Sequence, residues 1–320
     1  MPIQTYDEQS DPNGVMGDEA TPEPLLFIWY PPGGTTGTPP PPNRIPMPTS
    51  ASIVGTDGHT YQDFVFFDDF NSDNLNTTLW GQFSRPSGDD YAYSGSGQKV
   101  WWQPSHVKTL SSNTATGPAL VSSSTVKLST YWEKSGQGTP AAPINMLVNA
   151  GIGVKSEYAF TYGKVEVCAR RDFKIIGNKL VFVCLNSANW PNWGEMDFYE
   201  DGNDGPGNNG DWVVGLNDTT DLAYHYGTRA SPQQHITYVT GYDMTTWNVW
   251  GFEWSPGHVN FTLNGASVYA VSSNVVGSGP LEVSLQQEYE GSYNGTIPAT
   301  DPLKGDTCDA EIDWVVAWNY

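Results

Sequence analysis

Three carboxylates lie close together between residues 190 and 200, in the run Trp-Pro-Asn-Trp-Gly-Glu-Met-Asp-Phe-Tyr-Glu. In a plain β-strand, Glu195 and Asp197 point to one face and Glu200 points to the other. Turning two carboxylates inward beside aromatic rings is costly unless charge is needed there. The alternative is a solvent-facing edge strand with incidental acids. The surrounding aromatic residues and the preceding glycine favour a functional site.

Paired carboxylates are the groups that glycoside hydrolysis requires. One attacks the anomeric carbon or stabilises the oxocarbenium ion, and the other protonates the leaving oxygen. Aromatic rings offer flat apolar platforms for the C–H faces of sugars. Trp190 and Trp193 are therefore candidate substrate-binding residues, and simple core packing is the alternative for both.

The composition supports a neutral ligand that stacks on rings. The formal net charge is −21, with 14 Lys plus Arg against 35 Asp plus Glu. Nucleic acid is excluded as a partner, because phosphate contacts need many Lys and Arg residues. Anionic membranes and heavily sulfated polymers are disfavoured for the same reason. Aromatic residues make up 13% of the chain and charged residues only 15%, against roughly 25% in a typical domain.

The compartment is not determined by the sequence. The first ten residues have neither a basic region nor an apolar core, so no signal peptide is visible. No apolar run reaches the ~20 residues of a membrane span. Three cysteines, Cys168, Cys184 and Cys308, are expected to be buried thiols, with one bridge plus a free thiol as the alternative. An extracellular or virion-associated location is the expectation.

From residue 61 the chain has the alternation typical of β-strands. Val165, Val167 and Ala169 share one face of a predicted strand, and Asn264-Gly265 between two alternating runs predicts a hairpin. No window shows a convincing helical stripe, and there is no internal repeat. Residues 61–320 are therefore predicted to form one all-β domain, a sandwich or barrel.

Residues 1–60 have a different composition. They hold half of the 24 prolines and are strongly acidic, so we expect an extended or disordered tail. The apolar run Leu25–Tyr30 interrupts this pattern. It either packs back on the domain or docks into a groove or sheet edge of a larger assembly.

The acidic run resembles the active-site strand of glycoside hydrolase family 16, in its variant with two residues between the Asp and the second Glu. That family includes laminarinases, agarases and carrageenases. Five further blocks resemble the family's strands in the same order: 64–80, 162–170, 224–227, 247–265 and 312–315. The resemblance implies a jelly-roll β-sandwich of two curved antiparallel sheets with a concave substrate cleft.

The resemblance also implies roles for single residues. Glu195 would be the nucleophile, Glu200 the general acid/base, and Asp197 the group that tunes the protonation of the nucleophile. His225 would contact a sugar hydroxyl, or be purely structural. Many family members bind a calcium ion away from the cleft. Asp313 is the matching residue here, unless it is an ordinary surface aspartate. No cofactor is expected for catalysis.

The resemblance has a geometric consequence as well, because family members with two residues between the Asp and the second Glu have a β-bulge there. At Phe198-Tyr199 it would turn Glu200 to the face of Glu195 and bring the carboxyl groups to about 5–5.5 Å, the retaining separation. The adjacent negative charge is expected to raise the pKa of Glu200. The leading hypothesis is a retaining endo-hydrolase of a neutral β-linked glucan or galactan. The alternatives are a catalytically silent carbohydrate-binding sandwich and a virion or assembly depolymerase subunit docked through its tail.

Overall fold

Alternating apolar residues produce two antiparallel β-sheets in the computed structural model. It describes residues 5–8, 45–83, 102–109, 125–139, 142–172, 178–186, 194–201, 219–228, 231–274, 276–289 and 300–320. Within these residues the elements are eighteen strands and two 3₁₀ helices, Pro104–His106 and Ser156–Tyr158. No helix in these ranges is long and apolar enough to cross a membrane.

The first sheet carries the acidic run in its middle. Its eight strands, in spatial order, are β1 (Thr5–Glu8), β13 (Ser231–Thr240), β12 (Thr219–Thr228), β11 (Glu195–Glu200), β10 (Asn178–Leu185), β17 (Glu282–Tyr289), β8 (Ala150–Val154) and β4 (Trp80–Gln82).

The second sheet has ten strands. Seven of them follow the order β16 (Ala266–Ser272), β15 (His258–Leu263), β14 (Asn248–Ser255), β9 (Gly163–Arg171), β18 (Thr307–Asn319), β3 (Thr60–Asp68) and β2 (Ser52–Val54). The other three are β5 (Val107–Lys108), β6 (Val126–Thr139) and β7 (Ala142–Val148), where β6 pairs with the first half of β18.

The predicted jelly-roll sandwich is confirmed. Each sheet buries one face of its strands against the other, and the side chains between them form a single large core. Val165, Val167 and Ala169 of β9 lie fully buried in this core, as their alternation predicts. The predicted hairpin joins β15 to β16. Asn264 and Gly265 have φ angles of 51° and 77°, the left-handed values that a two-residue hairpin turn requires.

The three cysteines are buried and free, so the expectation of thiols is confirmed. The hexapeptide Leu25–Tyr30 lies outside the described residues.

Residues 45–60 pack against the outer face of the second sheet. Trp314 Nε1 donates to the Ile45 carbonyl at 2.7 Å, and Trp318 Nε1 donates to the Ser50 carbonyl at 3.0 Å. The buried carboxylate of Glu253 accepts hydrogen bonds from the Thr56 and Asp57 amides. The predicted boundary at residue 60 therefore lies inside a packed segment. Two tryptophans and a glutamate would lose partners without it.

Two deletions test where the packed domain begins. Removing residues 1–44 takes away the edge strand β1 but should leave the sandwich folded, because the contacts to Trp314, Trp318 and Glu253 remain. Removing residues 1–58 should lower the free energy of unfolding by at least about 2 kcal/mol, since buried polar groups lose their partners and apolar contacts are lost. Denaturant unfolding of both variants measures the difference. If removal of residues 1–44 alone already unfolds the domain, the expectation is contradicted and those residues contribute to the core.

Candidate active site

A β-bulge in β11 places all three acids of the run on one face of the sheet. Asp197 pairs with Ala223, and Glu200 pairs with Asp221. Two residues lie between Asp197 and Glu200 on β11, but only one lies between their partners on β12, so β11 has one extra residue here. On the other side, Glu200 pairs with Val181 and Asp197 with Val183, two residues of β10 that share a face. The predicted bulge is present, and it turns Glu200 to the face of Asp197.

The two residues of the bulge face the core together. Phe198 and Tyr199 are fully buried, and both rings contact Phe182 of β10 at centroid distances of 5.9 and 5.3 Å. Across the core, Phe198 contacts Phe252 of β14 and Tyr199 contacts Trp250. Aromatic pairs of this kind contribute about 0.5–1.5 kcal/mol each beyond burial. These contacts between the sheets oppose any slip that would return Glu200 to the core face.

A buried ion-pair network fixes the end of the same strand. Asp201 accepts hydrogen bonds from the Tyr199 hydroxyl at 2.8 Å, from the Leu180 amide, and from Arg171. Arg171 is fully buried as well, and its charge satisfies the carboxylate. The network ties β11 to β10 and β9 just beyond Glu200.

Gly194 sets the start of β11. Its φ is +88°, in the left-handed region where a side chain is strained, and its amide donates to the His225 carbonyl at 3.2 Å. Glu195 follows it, half-buried, and pairs with His225 across the ladder. The glycine lets the chain enter the strand with Glu195 and Asp197 on the concave face, opposite the core.

Asp197 and His225 form an ion pair on this face. His225 Nε2 lies 2.7 Å from Asp197 Oδ2, and Asp197 is buried. Burial lowers the pKa of His225, but the charge and hydrogen bond of Asp197 outweigh burial and raise that pKa to about 10. Burial also raises the pKa of Asp197, opposed by His225. The imidazole is therefore a cation at neutral pH and donates to Asp197.

Glu200 has an unexpected partner. Lys179 Nζ lies 2.8 Å from Glu200 Oε1, with the lysine almost completely buried. Burial raises the pKa of Glu200, but the charge and hydrogen bond of Lys179 outweigh it, and the net effect is a lowered pKa. The expectation of a raised pKa for Glu200 was therefore wrong. The sequence showed the negative charges next to Glu200 along the chain, but it did not show that Lys179 of β10 lies beside this carboxylate.

A fourth carboxyl group lies beside the acids. Asp221 of β12 pairs directly with Glu200, is buried, and has no hydrogen-bond partner for Oδ1. Burial and the charges of Glu200 and Asp197 raise its pKa well above the ordinary value. The raised pKa makes Asp221 harder to ionise than an ordinary aspartate. Neither Lys179 nor Asp221 was predicted, because nothing in either strand's own sequence shows that it faces Glu200.

An aromatic ring covers the same face three strands from β11. Along β8, Ala150, Ile152 and Val154 face the core, so Gly151 and Gly153 face the other way. A Cβ at Gly151 would lie 2.5 Å from Phe83 Cδ2, so the half-buried ring of Phe83 rests directly on this glycine. The ring of Trp102 meets it edge-on at 5.9 Å. Phe83 was also missed, because the strand before it has only three residues.

The remaining predicted residues are not part of this group. Trp190 and Trp193 lie outside the described residues. Asp313 is buried at a bulge of β18, on the second sheet, where Ile312 pairs with Ala169 and Trp314 with Cys168. In the described ranges, no group of three or more His, Cys, Asp or Glu could hold a metal ion.

Because one fold hosts many functions, a comparison with known families is needed beside the geometry of the carboxylate cluster. The family profile of glycosyl hydrolases family 16 matches residues 95–316. The chain belongs to this family, as the resemblance of its motifs indicates. By family it is a glycoside hydrolase, and the members of this family need no cofactor for catalysis.

Solved structures share the fold at low sequence identity. The endo-β-1,3-glucanase from Pyrococcus furiosus superposes with a TM-score of 0.63 at 17% identity, covering 85% of this chain and 98% of that one. A family 16 protein from a mixed-linkage glucan locus of Bacteroides ovatus, in complex with a product, gives 0.59 at 18%, covering 79% and 99%. The laminarinase catalytic domain from Thermotoga maritima gives 0.59 at 14%, covering 81% and 98%. No curated protein matches the chain.

The ion pair of His225 can be tested by titration. Because its folded pKa is raised, the protonated imidazole stabilises the fold below the unfolded pKa of about 6.5, and this contribution is lost as pH rises towards 10. NMR titration of the ring nitrogens should therefore find His225 protonated at pH 8. Asp197→Asn should lower that pKa, because the carboxylate charge is removed. An unprotonated His225 at pH 8 in the unmodified protein would contradict the assignment.

Proposed function

We propose that this protein is a retaining endo-hydrolase of a neutral β-linked glucan. The observation that carries the proposal is the bulge in β11, which presents Glu195, Asp197 and Glu200 to one side of the sheet. Retaining hydrolysis needs two carboxyl groups on the same surface, one as nucleophile and one as acid/base. A third carboxylate between them supports the division of roles.

Glu195 is proposed as the nucleophile. It is half-buried at the start of β11, and it pairs across the ladder with His225, whose positive charge favours a nearby carboxylate in its ionised form. An ionised carboxylate can attack the anomeric carbon and form a glycosyl-enzyme ester. Asp197 separates Glu195 from Glu200 and holds the imidazolium of His225 beside both.

Glu200 is proposed as the acid/base. In the first half-reaction it gives a proton to the leaving glycosidic oxygen, and the bond from the anomeric carbon to that oxygen breaks as the ester to Glu195 forms. In the second half-reaction Glu200 removes a proton from water, which attacks the ester and releases the sugar with net retention. After both steps together, Glu195 is again a free carboxylate and Glu200 is again protonated.

The character of the substrate follows from charge and from the relatives. The chain carries a net charge of −21, which repels polyanions but not a neutral sugar. Similar folds are named as an endo-β-1,3-glucanase and as a mixed-linkage glucan protein. A β-glucan is therefore the proposed substrate, bound along the concave face where Phe83 offers an aromatic surface. A galactan is the other polymer to be tested.

Two substitutions test the catalytic assignment. Glu195→Gln should abolish release of reducing sugar from laminarin and mixed-linkage glucan, and Glu200→Gln should lower kcat by about 10²–10⁴-fold, because each removes a reacting carboxyl group. Both variants should keep their unfolding midpoint and bind the glucan in affinity electrophoresis. Glu311→Gln, which alters a partly exposed pair with Arg170 on the second sheet, is the matched control.

The unmodified protein tests two further points: whether hydrolysis retains the anomeric configuration, and whether the protein hydrolyses glucans or only binds them. ¹H NMR of the first product should show the β-anomer before mutarotation. An initial α-product would overturn retention, and binding of glucans without hydrolysis by the unmodified protein would identify a silent carbohydrate-binding sandwich instead.

The aromatic surface gives a separate prediction. Phe83→Ala should raise KM for long glucans up to about tenfold with little change in kcat, since stacking on one ring contributes about 0.5–1.5 kcal/mol. Oligosaccharides too short to reach from β11 to β8 should be unaffected. Phe67→Ala removes an exposed ring from β3 of the second sheet and serves as control. An equal loss on short and long substrates would remove Phe83 from the binding surface.

A further inference from the structure

Lys179 is a buried cation directed at the acid/base. It lies near the start of β10, with a side-chain exposure of 5%, and its ammonium group contacts Glu200 Oε1 at 2.8 Å. Val181, two residues further on, is the cross-strand partner of Glu200, so Lys179 reaches it diagonally on the same face. Burying an ammonium group is costly, and a close carboxylate offsets part of that cost.

On its other side Glu200 faces a buried carboxyl group. This is Asp221 of β12, whose Oδ1 has no hydrogen-bond partner. An ionised Asp221 would oppose the charge of Lys179. Burial disfavours that ionised form, because a neutral acid is less costly to bury than an anion, and it raises the pKa of Asp221. The flanks of Glu200 are thus a cation on β10 and, on β12, a buried carboxyl group that resists ionisation.

The other titratable groups near Glu200 lie on β11 itself or on the strands to either side. On β11 itself these are Glu195 and Asp197, and Asp197 is paired with His225 of β12. Beyond β10, Glu288 of β17 faces Lys179 in the ladder, and beyond β12, Tyr238 of β13 faces Asp221. Among these groups, Lys179 is the cation that pairs with Glu200 itself.

We propose that Lys179 is a positioning residue that holds Glu200 in its ionised, general-base form and thereby sets the upper pH limit of hydrolysis. This inference rests on the proposed role of Glu200 as acid/base. Lys179 touches Glu200 and acts on the substrate only through it. Its contact to Oε1 also leaves Oε2 as the oxygen for proton exchange with the glycosidic oxygen and with water.

The two half-reactions respond to Lys179 in opposite directions. The first needs a protonated Glu200, and an ammonium group 2.8 Å away favours loss of that proton. The second needs an ionised Glu200, which the ammonium group stabilises until water gives up its proton. As pH rises through the pKa of Glu200, formation of the glycosyl-enzyme slows first. Hydrolysis should therefore be lost on the alkaline side at a pH set by the Lys179 contact.

The pH profile of kcat/KM tests the inference. Lys179→Met should move the alkaline limb to higher pH. At pH values above the original limb, kcat/KM of the variant should then exceed that of the unmodified enzyme by about tenfold for each pH unit of displacement. Lys179→Arg should keep the limb in place, because the charge is retained. Lys127→Met is the matched control: it removes a buried lysine from an ion pair with Asp309 on the second sheet and should not move the limb.

A second readout does not depend on turnover. ¹³C NMR of labelled glutamate carboxyl groups, with Glu200 assigned by its loss in Glu200→Gln, should show a higher pKa for Glu200 in Lys179→Met than in the unmodified protein. An unchanged pKa and an unchanged alkaline limb would overturn the inference. Failure of the proposed function is recognised separately, because the unmodified protein would then release no sugar from any glycan. The NMR titration would still show whether Lys179 lowers the pKa of Glu200.

Discussion

The whole site depends on one extra residue in β11. Without the bulge, Glu200 would point into an apolar core, where an ionised carboxylate costs several kcal/mol. With it, Phe198 and Tyr199 both enter the core, and the acids on either side face outward together. The bulge therefore lets both rings pack in the core and places the three carboxylates on one face of the sheet. Packing and chemistry are coupled here, because neither ring can leave the core without moving an acid.

The second sheet stabilises the bulge from behind. Phe252 and Trp250 of β14 meet the two rings, and Asp201 anchors the hydroxyl of Tyr199. These contacts lie on the opposite side of the sheet from the acids. A rigid core behind a charged surface is a common way to hold catalytic groups within a fraction of an ångström, since close-packed interiors resist displacement. The segment of residues 45–60 extends this support by covering the outer face of the second sheet.

The charge on the concave face is balanced locally within an acidic protein. Two cations lie among the carboxyl groups around β11: His225 pairs with Asp197, and Lys179 pairs with Glu200. Burial raises the pKa of Asp221 and of Asp197, whereas Lys179 lowers the pKa of Glu200. Carboxyl groups on adjacent strands are thus shifted in opposite directions. Such separation of pKa values is what assigns acid and base roles to otherwise similar groups.

The sequence alone determined the parts of this protein that depend on neighbours along the chain. Alternation predicted the strands and Asn264-Gly265 predicted a hairpin, since each is a local property of the backbone. The bulge between Asp197 and Glu200 was predicted from the resemblance of this run to the family's active-site strand. The order of the blocks indicated the family and hence the sandwich. The packed segment of residues 45–60 was missed, because its contacts are with residues about 200 positions or more away in sequence.

Only the tertiary structure decided the electrostatics of the site. Lys179 and Asp221 come from different strands on either side of β11, and their meeting with Glu200 depends on the register of two ladders. A shift of one residue in either register would send them to the other face. The pKa of a carboxyl group depends on charges within a few ångströms, whatever their position in the chain. For that reason the bulge was anticipated before the structure was known, but the pKa of Glu200 was expected to be raised where the structure lowers it.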